Sequence, residues 1–591
     1  MDAPSTDRLF DPIAMEVFSN RLLSITEDMG NSLVRSSFST NIKERRDCSV
    51  GLFDARGRLV AQAAHIPLHL GSLLGGVLAV LERYPVERMR DGDAFICNDP
   101  YLAGGTHMPD VSVVTPVFWD GAVRFFTANI GHHSDFGGAV PGSIAGSARS
   151  MFEEGLRLPV IRIRRAGEID DDLLNLIVQN TREPEERALD LRVQIATNDR
   201  GAAEMRGLLG QMGLAVVQTA IEDILAYTAR RLHRRIGELK AGSYSFTTYL
   251  DDDGFPGGEP VPLTATVRIE GGRLALDFTG TGAQARGALN VPPSALHATV
   301  HYCVKALLDP HLMPNSGMLD AVSIHVPEGT ILSPRHPAAV GARSITCQKV
   351  AAAIFGAFRG VLPEDKVMAS GVDVIPAIVF SGALTRRTGT YVYLETIGGG
   401  CGARLGEDGM DAIHMHMTNT SNLPAEALEN EYPLLVDEYA MVEDSGGVGA
   451  ARGGMGIARQ VRALRDGTVF SVRSDSHHRG TAGANGGGDG RHGRLVRNPG
   501  RADEQELGSK VSHLVLAAGE AIRIETPGGG GFGPATQRPI GKLAADLRDS
   551  VCSYDAAVAA YGRAQVELAL QTVGATGDND PSGLERNVNG T

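Results

Sequence analysis

Glycine constrains this chain more than any other residue. It occupies 73 of 591 positions, against an average usage near 7%. Glycine loses more conformational freedom on ordering than any other residue and weakens helix interiors. An excess of this size implies tight turns and close backbone approaches, and excludes a helical bundle. The stretch from about 389 to 530 combines glycine with strand-like alternation and has few helical periods. Within it, 485–494 comes nearest to low complexity and reads as an exposed loop.

Elsewhere the hydrophobic spacing is clear. Phe18, Leu22, Ile25, Met29 and Leu33 recur at steps of three and four, predicting a helix over 12–36. A hairpin follows over 48–62, turning at Asp54-Ala55-Arg56-Gly57. Leu70, Leu73, Leu74, Val77, Leu78 and Leu81 predict a second helix, ended at Tyr84-Pro85. Short strands read at 93–98, 111–118 and 123–130, and 184–239 is largely helical. Around Lys240-Ala241-Gly242 the character changes. Residues 243–290 alternate like strands, with a turn at Gly271-Gly272, and helical patterns return at 292–308 and 344–362. A short helix near 539–561 precedes a polar, frayed tail. The expectation is an α+β fold in three regions: 1–240, 241–540 (mainly β with two helical segments) and 541–591.

Composition narrows the function. With 56 basic and 70 acidic side chains the formal charge is −14, which opposes non-specific binding to nucleic acid or an anionic membrane. No apolar run approaches the roughly 18 residues that span a bilayer. The six cysteines lie far apart with no CxxC pair, excluding a disulfide scaffold and a cysteine zinc site. No secretory signal is legible at Met1-Asp2-Ala3-Pro4. A reduced, cytoplasmic, soluble protein is expected.

Ligand-type side chains concentrate at 98–110, where His107 and Asp110 stand three apart in a glycine-softened loop before a strand. The hairpin beyond it returns the chain to Gly131-His132-His133-Ser134-Asp135. Antiparallel pairing sets the end of the returning strand beside the start of the outgoing one. His107, Asp110 and one of His132 and His133 can then converge; alternation lets only one of the pair share their face. Two imidazoles and a carboxylate suit Mn²⁺, Zn²⁺ or Fe²⁺ with positions left open. The competing reading is that these histidines cap loops or satisfy buried backbone groups.

Asp47, in Lys43-Glu44-Arg45-Arg46-Asp47, is a second candidate acid; flanked by arginines it should stay ionised. A surface ion-pair run gives the same pattern. His414 and His416 would share one face of a strand whose Ile413, Met415 and Met417 face the core. Thr526–Pro534 formally contains GxGxxG, but Pro534 prevents the helix that must open after it to face a pyrophosphate. No GxxxxGK[ST] or GxSxG motif is present. Cys48 and Cys97 neighbour the acidic clusters, although free thiols are more often buried and inert.

These residues, taken together, resemble the hydantoinase B/oxoprolinase family. The likeness runs from about 12 to 561 through Lys43–Asp47, Asn98-Asp99-Pro100, Gly105–Asp110 and His132–Gly138. It continues in Asp277–Thr281, His416–Thr420, Asp444–Gly447, Arg452-Gly453-Gly454 and Thr526–Pro534. The sequence departs where Cys48 follows Asp47, a place commonly aromatic in the family. Ser474–Arg479 also lacks the arginine and Pro-Pro usual after the Asp.

The resemblance implies a subunit of an ATP-dependent hydrolase acting on C–N bonds of cyclic amides such as hydantoins or 5-oxoproline. A separate hydantoinase A-type chain would bind ATP and phosphorylate the substrate, in a hetero-tetramer or larger assembly. His107, Asp110 and His132 look like ligands of a divalent metal (Mn, Zn or Fe), with Asp47 beside them as ligand or base. Phosphorylating the amide oxygen makes an activated imidate, and a divalent ion lowers the pKa of water toward neutrality for attack on its carbon. The alternatives are a subunit of an acetone- or acetophenone-type carboxylase, and a non-catalytic scaffold for the A-type chain. Shorter length than acetone carboxylase subunits favours the hydrolase, and the His/Asp cluster speaks against the scaffold.

Overall fold

Asp11 starts the first helix, α1 (Pro12–Ser36), by accepting the free N–H groups of Ile13 and Ala14, while Pro12 presets the first helical turn. Its buried stripe includes Phe18, Leu22, Ile25, Met29 and Leu33, as the spacing predicts. The structure, a computed structural model, describes residues 11–63, 65–255, 257–384 and 389–576. Twelve helices and four sheets stand among the described residues, in an α+β fold.

After α1 come α2 (Thr40–Lys43), β1 (Cys48–Asp54), β2 (Leu59–Gln62) and α3 (His69–Arg83). Next are β3 (Ala94–Cys97), β4 (Asp110–Trp119), β5 (Ala122–His132), β6 (Ile161–Arg165) and β7 (Glu168–Ile169), then α4 (Asp171–Val178), α5 (Pro184–Met212) and α6 (Leu214–Gly237). The strands form one sheet in the order β2-β1-β5-β4-β3-β6-β7. Asp120 and Gly121, both with positive φ (50° and 72°), make the tight β4–β5 turn. Both faces are covered. Leu73, Val77 and Val80 of α3 meet Phe126, Ala128 and Ile130 on one side. Leu22, Met29, Met205 and Leu209 meet Val50, Leu52 and Phe125 on the other. Gly213, at φ 84°, breaks the long helical pattern into α5 and α6.

The second sheet holds β8 (Gly242–Leu250), β9 (Val261–Glu270) and β10 (Arg273–Asp277), with β11 (Val322–His325) beside β10. Alternation was expected to 290; it ends at Asp277, and loop follows. Helices α7 (Pro293–Leu308) and α8 (Arg343–Phe358) pack on this sheet, and α8 is buried along almost its whole length.

The C-terminal half contains β12 (Ala377–Ala383), β13 (Thr390–Thr396), α9 (Ala425–Glu431), β14 (Leu434–Met441), β15 (Ile457–Ala463) and β16 (Thr468–Arg473). It continues with β17 (Arg494–Arg497), β18 (Gln505–Glu506), β19 (Lys510–Leu516) and β20 (Ala521–Glu525). Two antiparallel sheets, β13-β12-β16-β19 and β14-β15-β20-β17-β18, share a core of Phe380, Tyr393, Phe470, Val461 and Ile524. His414 and His416 do not lie on a strand as expected. Their backbone is irregular, with His416 at φ 51°, although Met415 and Met417 do enter the core. His414 Nδ1 lies 2.6 Å from Thr418 Oγ1, and His416 packs on the Phe355 ring. Beyond residue 539, α10 (Ile540–Arg548), α11 (Tyr554–Tyr561) and α12 (Arg563–Thr576) stand where one short helix and a frayed tail were expected. The rest of that tail, 577–591, lies outside the described residues.

The glycines form a bundle of their own. The segment 527–533 runs among 398–403, 446–456 and 482–490, joined by Gly400 N–H to Pro527 O, Gly447 N–H to Gly529 O and Ala484 N–H to Gly531 O. A Cβ on Gly453 would sit 1.8 Å from the Gly529 carbonyl oxygen, and one on Gly529 1.9 Å from that of Cys401. Backbones therefore touch where side chains usually fill the interior. This also corrects the exposed loop expected at 485–494: Asn485, Gly486, Asp489 and His492 are exposed, but the rest is not, and Gly487 and Gly490 pack on Gly531 and Gly528.

Gly453→Ala must push two backbones apart and should cost about 3 kcal/mol or more. Gly508→Ala, with open space around it, should stay within about 0.5 kcal/mol. Denaturant melts of the two variants decide this, and equal stabilities would refute the bundle. Acid should also destabilise the fold. Burial depresses five histidines outside the first sheet's hairpin, His65, His301, His414, His416 and His477, to about 4. Between pH 6.5 and 4.5 the unfolded chain protonates them and the folded chain does not, so stability falls as pH falls. Six carboxyls raised by burial (Asp47, Glu154, Glu183, Glu204, Asp251 and Glu443) act oppositely, but with His107, His132, His133 and His297 nine histidines are lowered in all. Stability that is flat or rising from pH 6.5 to 4.5 would contradict this.

Candidate active site

Strand register builds the site. β5 lies between β1 and β4, with Cys48 opposite Gly131 and Asp110 opposite His132. The His132 N–H donates to the carbonyl of Asp47 at 3.0 Å, one residue before β1. Asp47, His132 and Asp110 therefore stand side by side on one rim of the sheet. His107 joins from the loop before β4, where the Asp110 N–H closes a turn onto its carbonyl at 3.2 Å. His133, one residue on, points elsewhere: its Nε2 lies 3.1 Å from Gln194 Oε1 on α5. Of the two histidines left open by sequence, His132 is the one at the site.

His107, Asp110 and His132 each present a ligand-type atom within 4.8 Å of the others, and all three are buried. The protonation of His107 follows from its neighbours. Its Nδ1 lies 3.3 Å from the Gly341 carbonyl oxygen, which can only accept, so we assign the proton to Nδ1. Nε2 then presents a bare lone pair to Asp110 Oδ1, 3.0 Å away, and neither atom has a hydrogen-bond partner. Two buried lone pairs facing each other are unfavourable unless a cation sits with them. The residues fit a metal.

The electrostatics agree. Burial alone would raise the Asp110 carboxyl, but His107, Arg343 and His69 hold it well below the usual carboxylate range. Burial, reinforced by Arg343, lowers His107 to about 3, and burial pushes His132 well below its ordinary value. The donor set is one carboxylate and two neutral imidazoles, the forms that bind metal. Asp110 Oδ2 is held by Thr106 Oγ1 at 2.6 Å and Arg343 Nη2 at 2.5 Å.

Asp47 lies beside the cluster, but its electrostatics differ from the sequence expectation. Of its flanking arginines Arg45 comes within 3.9 Å, while Arg46 is exposed. Burial outweighs the pull of His69 and Arg45 and raises the carboxyl. Sequence reasoning missed four residues here. His69, at the start of α3, sets Nε2 3.6 Å from Asp47 and 3.7 Å from Asp110, with Nδ1 3.1 Å from Ser49 Oγ. Arg45, fully buried, donates to Asn41 Oδ1, the Leu394 carbonyl and Thr396 Oγ1. Asn41 Nδ2 in turn donates to the His132 carbonyl at 2.6 Å and lies 2.9 Å from its Nδ1. Arg343 opens α8. A histidine beside Pro67 at a helix start was the one legible signal; Arg45 was masked by its charged neighbours. Cys48 and Cys97 are buried with thiols pushed upward by burial, as inert cysteines are. His414 and His416 are not at the site.

A cavity of about 680 Å³ lies between α1, α6 and α7 and reaches Ser49, Gln62 and His65. Ser49 contacts His69, so the cavity and the cluster are separated by two side chains. Mid-helix Gly30 makes room for His65, whose ring atoms would lie 2.3 Å from a Cβ there.

The profile of the hydantoinase B/oxoprolinase family matches residues 11–535. The chain is 33% identical over 551 residues to 5-oxoprolinase 1 of Arabidopsis thaliana, covering 89% of this chain but 42% of that protein. It therefore spans well under half the length of that relative. The crystal structure of ATP-dependent caprolactamase from Pseudomonas jessenii superposes with a TM-score of 0.86 at 27% identity, covering 94% of this chain and 96% of that one. A nucleotide-free acetone carboxylase structure shares the fold, with a TM-score of 0.84 at 18% identity over 97% and 84% of the two chains. The chain belongs to the hydantoinase B/oxoprolinase family.

Proposed function

We propose that this chain is the metal-dependent subunit of an ATP-dependent cyclic amidase of hydantoinase or 5-oxoprolinase type. It would hydrolyse a substrate that a hydantoinase A-type partner has phosphorylated, in a cytoplasmic hetero-tetramer or larger assembly. The observation that carries the reading is the buried, unpartnered pair His107 Nε2 and Asp110 Oδ1 beside His132. These three residues would hold a divalent ion (Mn, Zn or Fe). Such an ion supplies Lewis-acid polarisation and a lowered pKa for water.

The chain's own groups supply the rest. Asp47, with its carboxyl raised by burial, is suited to take a proton from water and to return it to the departing ring nitrogen; the acyl phosphate left when the C–N bond breaks would be hydrolysed by a second water to carboxylate and phosphate. His69 Nε2, between Asp47 and Asp110, orients both. Arg343 and Thr106 fix Asp110, and Arg45 with Asn41 fixes His132. Burial of the cluster keeps an activated intermediate from bulk water. The partner is supported by length: the 5-oxoprolinase relative has more than half its chain beyond the matched part. The carboxylase alternative has the weaker likeness, 18% identity against 27% for the caprolactamase. A scaffold has no need of the buried cluster.

Co-expressed with its A-type chain, His107→Ala or Asp110→Ala should lose bound metal by mass spectrometry. Turnover of lactams or hydantoins should fall by at least about 100-fold, while assembly and uncoupled ATP hydrolysis persist. Equal metal content in wild type and variants would refute the site. Bicarbonate-dependent consumption of ketones, without amide hydrolysis, would select the carboxylase.

A further inference from the structure

Beside the cluster lies a group of cationic and donor residues that metal binding does not use. Helix α8, sixteen residues long, begins at Arg343 with Ala342 as its N-cap; the N–H groups of Ala342, Arg343 and Ile345 close onto the carbonyls of Ala288, Val340 and Ala342, and that of Ser344 is left for a ligand. Such an end attracts anions. Three buried side chains next to it each carry one polar atom without a partner. Ser344 is 6% exposed and its Oγ makes no hydrogen bond. Arg343, 2% exposed, places Nη2 on Asp110 and Thr106, but its Nε is unpartnered. Arg473, 3% exposed at the end of β16, donates through Nη1 to the Gly341 carbonyl at 2.6 Å, and its Nε also has no partner.

Carboxylates do not complete this arrangement. Among the described residues Arg473 forms no ion pair, and both oxygens of neighbouring Glu154 are taken by the N–H groups of Val340 and Gly341. Burial and the nearby Arg343 lower Arg473 to about 9, against the pull of Asp110, Glu154 and Asp47. A buried cation without a matching anion is costly. Arginine donors with a helix N-terminus match a phosphoryl group in charge and geometry.

We infer that Arg343, Arg473, Ser344 and the N-terminus of α8 form a phosphoryl-binding subsite next to the His107–Asp110–His132 cluster. It would take the phosphate group of the activated substrate and hold the phosphate that is released. The identity of the ligand rests on the amidase reading; the subsite itself rests on the unpartnered donors. Gly341 joins the two sites, since its carbonyl accepts from Arg473 and faces His107 Nδ1. A phosphoryl group held here would set its attached carbon beside the cluster.

Inorganic phosphate is the probe, measured by equilibrium dialysis with the purified full chain and its metal content followed in parallel. Wild type should bind phosphate saturably. Arg473→Met should weaken binding at least about tenfold, Arg473→Lys should fall between, and Ser344→Ala should weaken it about threefold, all with unchanged metal content. Ser344→Ala carries the test if Arg473→Met does not fold. Absence of saturable binding in wild type, or wild-type affinity in Arg473→Met and Ser344→Ala, would overturn the subsite. Bicarbonate displacing phosphate at equal or lower concentration would overturn the phosphoryl assignment. Failure of the amidase reading is separate: it appears as His107→Ala retaining turnover, which leaves these binding results standing.

Discussion

The double pairing of β5 is the constraint from which the site follows. Its register against β1 and β4 is continuous along most of its length, and at one end it sets Asp110 opposite His132 and Asp47 beside it. Side chains alternate across a sheet, so a slip of one residue would turn His132 to the other face and bring His133 in its place. Such a slip is opposed at every step. Phe125 faces α1, α5 and α6 while Phe126, Ala128 and Ile130 face α3. Gln194 reaches from α5 to Asn129 and to the Val111 carbonyl. The two-sided core that stabilises the sheet also fixes the chemistry at its rim.

The side chains of the His107–Asp110–His132 cluster come from the first sheet and the loop before β4, but what orients them comes from the rest of the chain. Gly341 and Arg343 reach in from the segment leading into α8, Arg473 from β16, and the Leu394 carbonyl and Thr396 receive Arg45. The N-terminal region alone would leave Asp110 without Arg343 and Arg45 without its acceptors. A buried guanidinium stripped of partners is strongly destabilising. The regions are bound to one another through the polar groups of the site as well as through apolar contact.

Much of this was legible in the residues. The stripe of α1, the β4–β5 hairpin and the convergence of His107 and Asp110 with a histidine at 132 or 133 follow from spacing of 3.6 and 2. What was not legible has physical causes. Arg45 and Asp47 sit in a run whose other members, Lys43, Glu44 and Arg46, are exposed, and no local pattern separates the buried charges from the solvated ones. Arg343, Arg473 and Gly341 lie over 200 residues from His107 in the chain, beyond the reach of any periodicity. The strand expected at His414 and His416 failed because a positive φ at His416 breaks the alternation. The loop expected at 485–494 failed because glycine reads as freedom in a sequence, whereas here it permits contact.

The glycine bundle has a consequence for synthesis. Its central segment, 527–533, follows in chain order the segments it bonds, among them 398–403, 446–456 and 482–490. During translation those three have emerged while the backbone that bonds them is still unmade. The N–H and C=O groups that bond it must meanwhile be hydrated or paired wrongly, and bare glycine backbone offers no side chains to bias the choice. Closure of the C-terminal half is thus a late event, dependent on long-range pairing. A pause or truncation shortly before residue 527 would leave a ribosome-bound chain with three open edges and a complete first sheet.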